Sequence, residues 1–230
     1  MAKGNQWITD YLNLLFIGTA TPTANIAQNA AAPITNLYAS LHTADPGAAG
    51  NQTTSETSTG NYTGYARVAV ARSVAGFTVS GQSVTLAANV TFAQAPVTAT
   101  DVLTHWAIGT ASSGTGQILY SGPIGTNLGA GTGLNGNNIT IPGSTLAVNE
   151  RVTFQVPTGG VIPTGLTAGT VYYVKTASSD VITVSTTAGG AVVAITADGQ
   201  LLCYKVTPVT LGGGILVTPQ LTTSTTITEL

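Results

Sequence analysis

Charge is nearly missing from this sequence. Of 230 residues, six are Lys or Arg and eight are Asp or Glu, 6 % in all, and the formal net charge is −2. An ordinary soluble domain carries about 25 % charged residues. Six cations spread over the whole chain cannot build a phosphate footprint, so nucleic acid is excluded as a partner. A charge-rich disordered linker and a heptad coiled coil are excluded by the same composition. Cysteine occurs once, as Cys203, which rules out an intramolecular disulfide and a Cys-based zinc site. Long apolar runs are also missing. The longest aliphatic stretch, Leu12–Ile17 with Asn13 inside it, is far short of the ~20 residues of a membrane span, so no membrane partner is expected. Lys3, then Asp10 inside the apolar run, and no small-residue cleavage site do not make a signal peptide.

What remains is distinctive. Hydrophobic residues make up 43 %, enough for a core, and there are 41 threonines and 28 glycines. Threonine favours strands, and glycine punctuates them with turns. Their hydrogen-bonding groups carry no ionic desolvation cost, so such a surface suits permanent assembly better than life as a free monomer.

One segment has helical period. Trp7, Tyr11 and Leu15 form one row at i, i+4, i+8, and Ile8, Leu12 and Phe16 form the adjacent row. The pattern predicts a helix over Gln6–Ile17, capped by Asn5 and stopped by Gly18. Packed on its own domain, it is an ordinary core helix; presented outward, its aromatic row is a docking anchor. From Ile34 the period becomes two: Leu37, Ala39 and Leu41 alternate with Tyr38, Ser40 and His42. Asp45-Pro-Gly47 is a turn. Ala48–Gly64 is long, polar and nearly uncharged, which predicts a loop that orders against a partner, with Asn51 and Tyr62 as its contact candidates. Short strands follow at Tyr65–Ala71, Phe77–Val79, Val84–Ala87, Val90–Phe92, Leu103–Ile108 and Ile118–Ser121. Gly125–Asn138 reads as glycine-rich linker. A second β set follows at Ile139–Ile141, Arg151–Val156, Val171–Lys175, Val181–Ser185 and Ala191–Ile195. Leu201–Val206 and Ile215–Val217 read as a return to the first sheet, with a last strand in Thr222–Leu230. The expected fold is therefore all-β: a jelly-roll-like antiparallel sandwich (19–124 and 201–230) with an N-terminal helix (1–18) and a small β module (125–200) inserted in a loop.

Chemistry-bearing motifs are few. Gly131-Thr-Gly-Leu-Asn-Gly136 matches the dinucleotide fingerprint by letter, but it lacks the preceding strand and following helix that make it bind phosphate. His42, Asp45 and His105 are the only candidates for a metal, without HxH or HExxH spacing; half-exposed strand histidines are the simpler expectation. Each histidine has an aspartate nearby in sequence (Asp45, Asp101) and serines are common, but no Gly-x-Ser-x-Gly elbow is present. The eight scattered acids offer no marked pair for glycoside hydrolysis. Asn-x-Thr sequons at Asn51, Asn61, Asn89 and Asn138 are uninformative in so threonine-rich a chain. The expectation is no enzyme, no cofactor and no metal.

Two stretches carry a resemblance. Ile34-Thr-Asn-Leu-Tyr-Ala-Ser-Leu-His-Thr-Ala-Asp-Pro-Gly47 with Tyr62-Thr-Gly-Tyr-Ala-Arg-Val-Ala-Val-Ala-Arg72, continued by Thr104–Gly116 and Ile118–Gly122, resembles a family of small virion proteins of tailed bacteriophages. Members are often labelled tail-fibre proteins, and some are similar to capsid cement proteins with a jelly-roll-like fold. The segment Gly125–Gln200 resembles a different recurrent phage structural module through Asn149–Phe154, Ile162–Val174 and Val184–Gly190. The resemblance implies a structural virion protein without catalytic residues. Its expected partners are the major capsid protein and copies of itself, on the outer capsid surface, with a tail or fibre position as the alternative. The assembly contacts would then run through Trp7, Tyr11 and Leu15 of the helix and Asn51 and Tyr62 of the loop.

Overall fold

The computed structural model describes residues 5–18, 33–134, 136–157, 159–222 and 226–228. It is all-β apart from the N-terminal helix, and its strand ladders are antiparallel. Helix α1 (Asn5–Leu12) runs into a π-helical turn, Asn13–Ile17, that ends at Gly18 in the left-handed conformation (φ 71°). The Ile8, Leu12 and Phe16 row is buried in the core, and Phe16 meets Phe77 edge-on at 4.9 Å. Tyr11 and Leu15, from the neighbouring row, are half-buried against the same core. The side chain of Trp7 lies outside the described residues.

The first β unit centres on a four-stranded sheet. Its strands are β1 (Asn36–His42), β2 (Val68–Ala71), β7 (His105–Gly109) and β8 (Ile118–Pro123), in the order β2-β1-β7-β8. Three short ladders complete it. Strand β3 (Phe77–Ser80) pairs β4 (Ser83–Leu86), which also takes β17 (Thr226–Thr228). The others join β5 (Val90–Thr91) to β16 (Gln220–Leu221) and β6 (Val102–Leu103) to β15 (Val209–Thr210). Leu37, Ala39 and Leu41 of β1 are buried, as their alternation predicts, but so are Ser40 and His42, because the 48–64 segment covers that end of the sheet.

The second β unit is a closed barrel of six strands. These are β9 (Gly125–Leu134), β10 (Asn138–Thr140), β11 (Arg151–Gln155), β12 (Val171–Ser178), β13 (Val181–Ser185) and β14 (Gly199–Val206). Its core gathers Ile139, Phe154, Val174, Ile182, Leu201 and Cys203. Two expectations are corrected here. Gly125–Leu134 is not linker but the longest described strand, held by β14 on one side and β10 on the other. Three of its four glycines, Gly125, Gly131 and Gly133, are required by close approach: a Cβ on Gly131 would lie 2.6 Å from the Thr140 carbonyl oxygen. Leu201–Val206 does not rejoin the first sheet. It pairs β9 along its whole length and β11 from Leu202 to Val206, so the barrel runs to Val206. Ala191–Ile195 and Ile215–Val217 form single bridges rather than strands.

Candidate functional site

The 48–64 segment is fastened to its own unit rather than left for a partner to order. Its backbone bonds to β1 and to the 116–117 turn: Thr43 N to Ser55 O at 2.8 Å, Thr57 N to Leu41 O at 3.0 Å, and Gln52 N to Gly116 O at 2.9 Å. Gln52 is fully buried, and its Oε1 accepts from the Ala111 amide at 2.8 Å. Asn51 closes a turn, its Oδ1 accepting from the Thr53 amide at 2.9 Å and hydroxyl at 2.6 Å. Tyr62 has no exposed surface and donates its hydroxyl to the Ala93 carbonyl. It is therefore a core residue and not a contact, because the apolar ring stays in the interior while its one polar atom finds a backbone acceptor. Glu56 binds Arg67 through two 2.7 Å bonds and also accepts the Tyr65 hydroxyl at 2.8 Å.

The structure also brings the two histidines together. His42 and His105 are directly opposed across β1 and β7, and both are fully buried, contrary to the half-exposed state expected of strand positions. His42 Nδ1 donates to the Thr54 carbonyl at 2.9 Å, which leaves Nε2 to accept from the Ser40 hydroxyl at 2.9 Å. Thr104 donates to the Thr43 carbonyl, so His105 Nδ1 donates to Thr104 Oγ1 at 2.9 Å. The other nitrogen, His105 Nε2, is buried without a partner. Desolvation lowers both pKa values, that of His105 to about 4. Ser40 and His42 have the contact of a nucleophile and its base, but neither has exposed surface, so no substrate reaches them. Asp45 spends one oxygen on the Gly47 amide and Asp101 holds Thr57 and Asn61. Among the described residues no group of three His, Cys, Asp or Glu could hold a metal ion.

One open concavity stands out. A cleft of about 570 Å³ lies between the first unit (Thr43–Gly47, Val102, Thr104) and the barrel (Arg151, Ala168–Val171, Tyr173, Thr186). Sequence reading missed it because its walls come from two units distant in the chain. Here Asp45 meets Gly169 so closely that a Cβ would lie 1.9 Å from Asp45 Oδ2, and Gly169 has a φ of +77°. The two units thus touch at a backbone position that favours glycine twice over.

No curated protein matches the chain. A family model described as Podophage GP4 fiber I protein gp80 matches residues 22–149, more than half of the chain, covering the main sheet of the first unit and the first two barrel strands. On that match the chain belongs to this phage fibre-protein family and is a structural protein of a bacteriophage.

Proposed function

We propose that the protein decorates the outer surface of the phage head, with the first unit docked on the major capsid protein and on neighbouring copies of itself, and the barrel projecting outward. The observation that carries this reading is that each β unit buries a core of its own: two separate apolar clusters, one around Phe16, Phe77 and Trp106, the other around Phe154 and Leu201. A fibre shaft gains its core from three intertwined chains and an extended repeat, and neither is needed by units that close on themselves. The nearly uncharged composition supports permanent attachment. On this reading the protein acts by binding, and the Ser40–His42 contact, the one Ser–His contact among the described residues, is sealed from solvent. A tail position is the second reading, favoured by the family's description as a fibre protein. Labelling of the barrel on purified virions, read by electron microscopy, tests the two: label over the head supports decoration, and label confined to the tail replaces it with the fibre reading.

A further inference from the structure

The cleft between the units holds an unusual cation. Among the described residues, every other Lys or Arg side chain has a hydrogen-bond acceptor: Arg67 has Glu56, Arg72 has the Leu15 carbonyl, Lys175 has the Gly189 carbonyl and Lys205 has Glu150. Arg151 has none. Its guanidinium lies over the ring of its cross-strand partner Tyr173, 5.3 Å from the centroid. That cation–π contact holds the guanidinium over the ring and leaves its N–H groups without an acceptor among the described residues, at the wall of a cleft within the usual size range of ligand pockets, about 300–1,000 Å³. A planar fork of donors held in this way fits a carboxylate.

The rest of the lining narrows the class. Across the cleft, Asp45 keeps Oδ1 on the Gly47 amide, and its Oδ2 is an acceptor at the same mouth. Arg151 and Asp45 cancel in charge, so a monoanion is tolerated better than a dianion. Thr43, Thr170 and Thr186 add hydroxyls that both donate and accept. A ligand that satisfies all of these bears one carboxylate and several hydroxyls. We propose that this cleft binds an acidic saccharide, with the carboxylate of a uronate residue on Arg151 and its hydroxyls on Asp45 and the threonines. The inference does not depend on whether the protein sits on head or tail.

Calorimetric titration of the full chain tests it with four probes: a galacturonate trimer, monomeric galacturonate, the methyl-esterified trimer and inorganic phosphate. The trimer should bind saturably, and the ester, which keeps the hydroxyls and loses the charge, at least tenfold more weakly. Monomer binding equal to the trimer supports a one-residue subsite, and trimer-only binding supports a polysaccharide. Arg151→Gln should weaken the trimer at least tenfold and Thr170→Val two- to fivefold, with circular dichroism unchanged. If Arg151→Gln does not fold, the acid-against-ester comparison on the wild-type chain decides. No binding of either uronate, equal binding of acid and ester, or phosphate binding as tight as uronate overturns the proposal.

Discussion

The barrel leaves no strand edge free, because its six strands pair in a ring, whereas the first unit leaves its main sheet open at β2 and β8. The consequences run through both interiors. The barrel core is mostly aliphatic and aromatic, with Cys203 and the small hydroxyl residues Ser144, Thr153 and Ser185 buried beside it. The first unit buries Ser40, His42, Gln52 and His105 together with the Arg67–Glu56 pair. An open sheet needs loops to cover its ends, and a loop brings unpaired amides and carbonyls with it. Side chains must then enter the core to satisfy them, as Gln52 does for Ala111 and His42 for Thr54. Closure of a sheet lessens that need: among the described residues the barrel buries hydroxyls, at Ser144, Thr153 and Ser185, but no imidazole, side-chain amide or ion pair.

The largest effect should come from separating the two units. The amide of Thr207 donates to the carbonyl of Ile124 at 2.8 Å, so the ends of the barrel segment are neighbours. Replacing residues 125–206 with an Asn-Gly turn should leave a first unit that keeps its β circular dichroism and melts cooperatively. A deletion that stops at Gln200 leaves Leu201–Val206 without either barrel neighbour, and that chain should aggregate or melt far lower. Failure of both constructions would show that the units depend on each other for folding, and the contrast between them would dissolve.

Next in size is the ion pair of the first unit. The side chains of Arg67 and Glu56 are only 3 % and 12 % exposed and meet through two bonds. Glu56→Gln removes the charge that compensates a buried guanidinium, and breaking such a pair costs about 3–5 kcal/mol. Urea unfolding followed by tryptophan fluorescence reads this unit alone, since both tryptophans lie outside the barrel segment. A loss under 1 kcal/mol would mean that the pair is wet in solution.

The contrast also explains what the sequence could disclose. Elements made by an apolar period were legible: the Ile8, Leu12 and Phe16 row, the alternation in β1, and the strands around Phe154 and Val174. The Asp45-Pro-Gly47 turn was legible from local chemistry, with Gly47 at φ +70°. What escaped was set by distant partners. Strand β9 carries no alternation and is a strand because β14 and β10 flank it. The 48–64 segment looks mobile by composition, yet Gln52, Thr57 and Tyr62 fasten it to Ala111, Asp101 and Ala93, partners that lie 31 to 59 residues away in sequence. Opposed histidines at β1 and β7 depend on a register that one strand does not encode, and the cleft depends on two units meeting.

Acid should separate the units at a smaller scale. Burial lowers the pKa of both histidines, and the charged groups acting on them are Asp45, Glu56 and Arg67. The unfolded chain takes up protons near pH 6.5, while folded His105 does so only near pH 4. The unfolded state therefore binds more protons across that window, and stability falls as pH drops through it. For His105 the loss reaches roughly 3 kcal/mol at the acid end, at about 1.4 kcal/mol per unit. The barrel contains neither histidine. Tryptophan-detected melts from pH 7 to pH 4 should show the slope, and His105→Asn, which can keep the bond to Thr104, should flatten it. A slope unchanged in the variant would assign the acid sensitivity to other groups.

The smallest effect is expected at Glu150. Lys205 donates to it from a partly exposed position of β14, and the side chains of Lys205 and Glu150 are 37 % and 28 % exposed. That bond, ahead of other causes, lowers the Glu150 pKa below its usual 4.5. The stabilisation is present above that range and lost as pH falls through the folded value, so it leaves the histidine window almost untouched. Water and salt compete for both partners, and such pairs contribute about 0–1 kcal/mol. Glu150 also caps its own turn by accepting the Ala147 amide at 3.0 Å, a bond that Gln can keep. Glu150→Gln should thus cost less than 1 kcal/mol in urea unfolding of the barrel, and the difference from wild type should vanish in 1 M NaCl. A cost equal to that of Glu56→Gln would mean that charge burial does not distinguish the two units, and the closed sheet would need its ion pair as much as the open one needs its own.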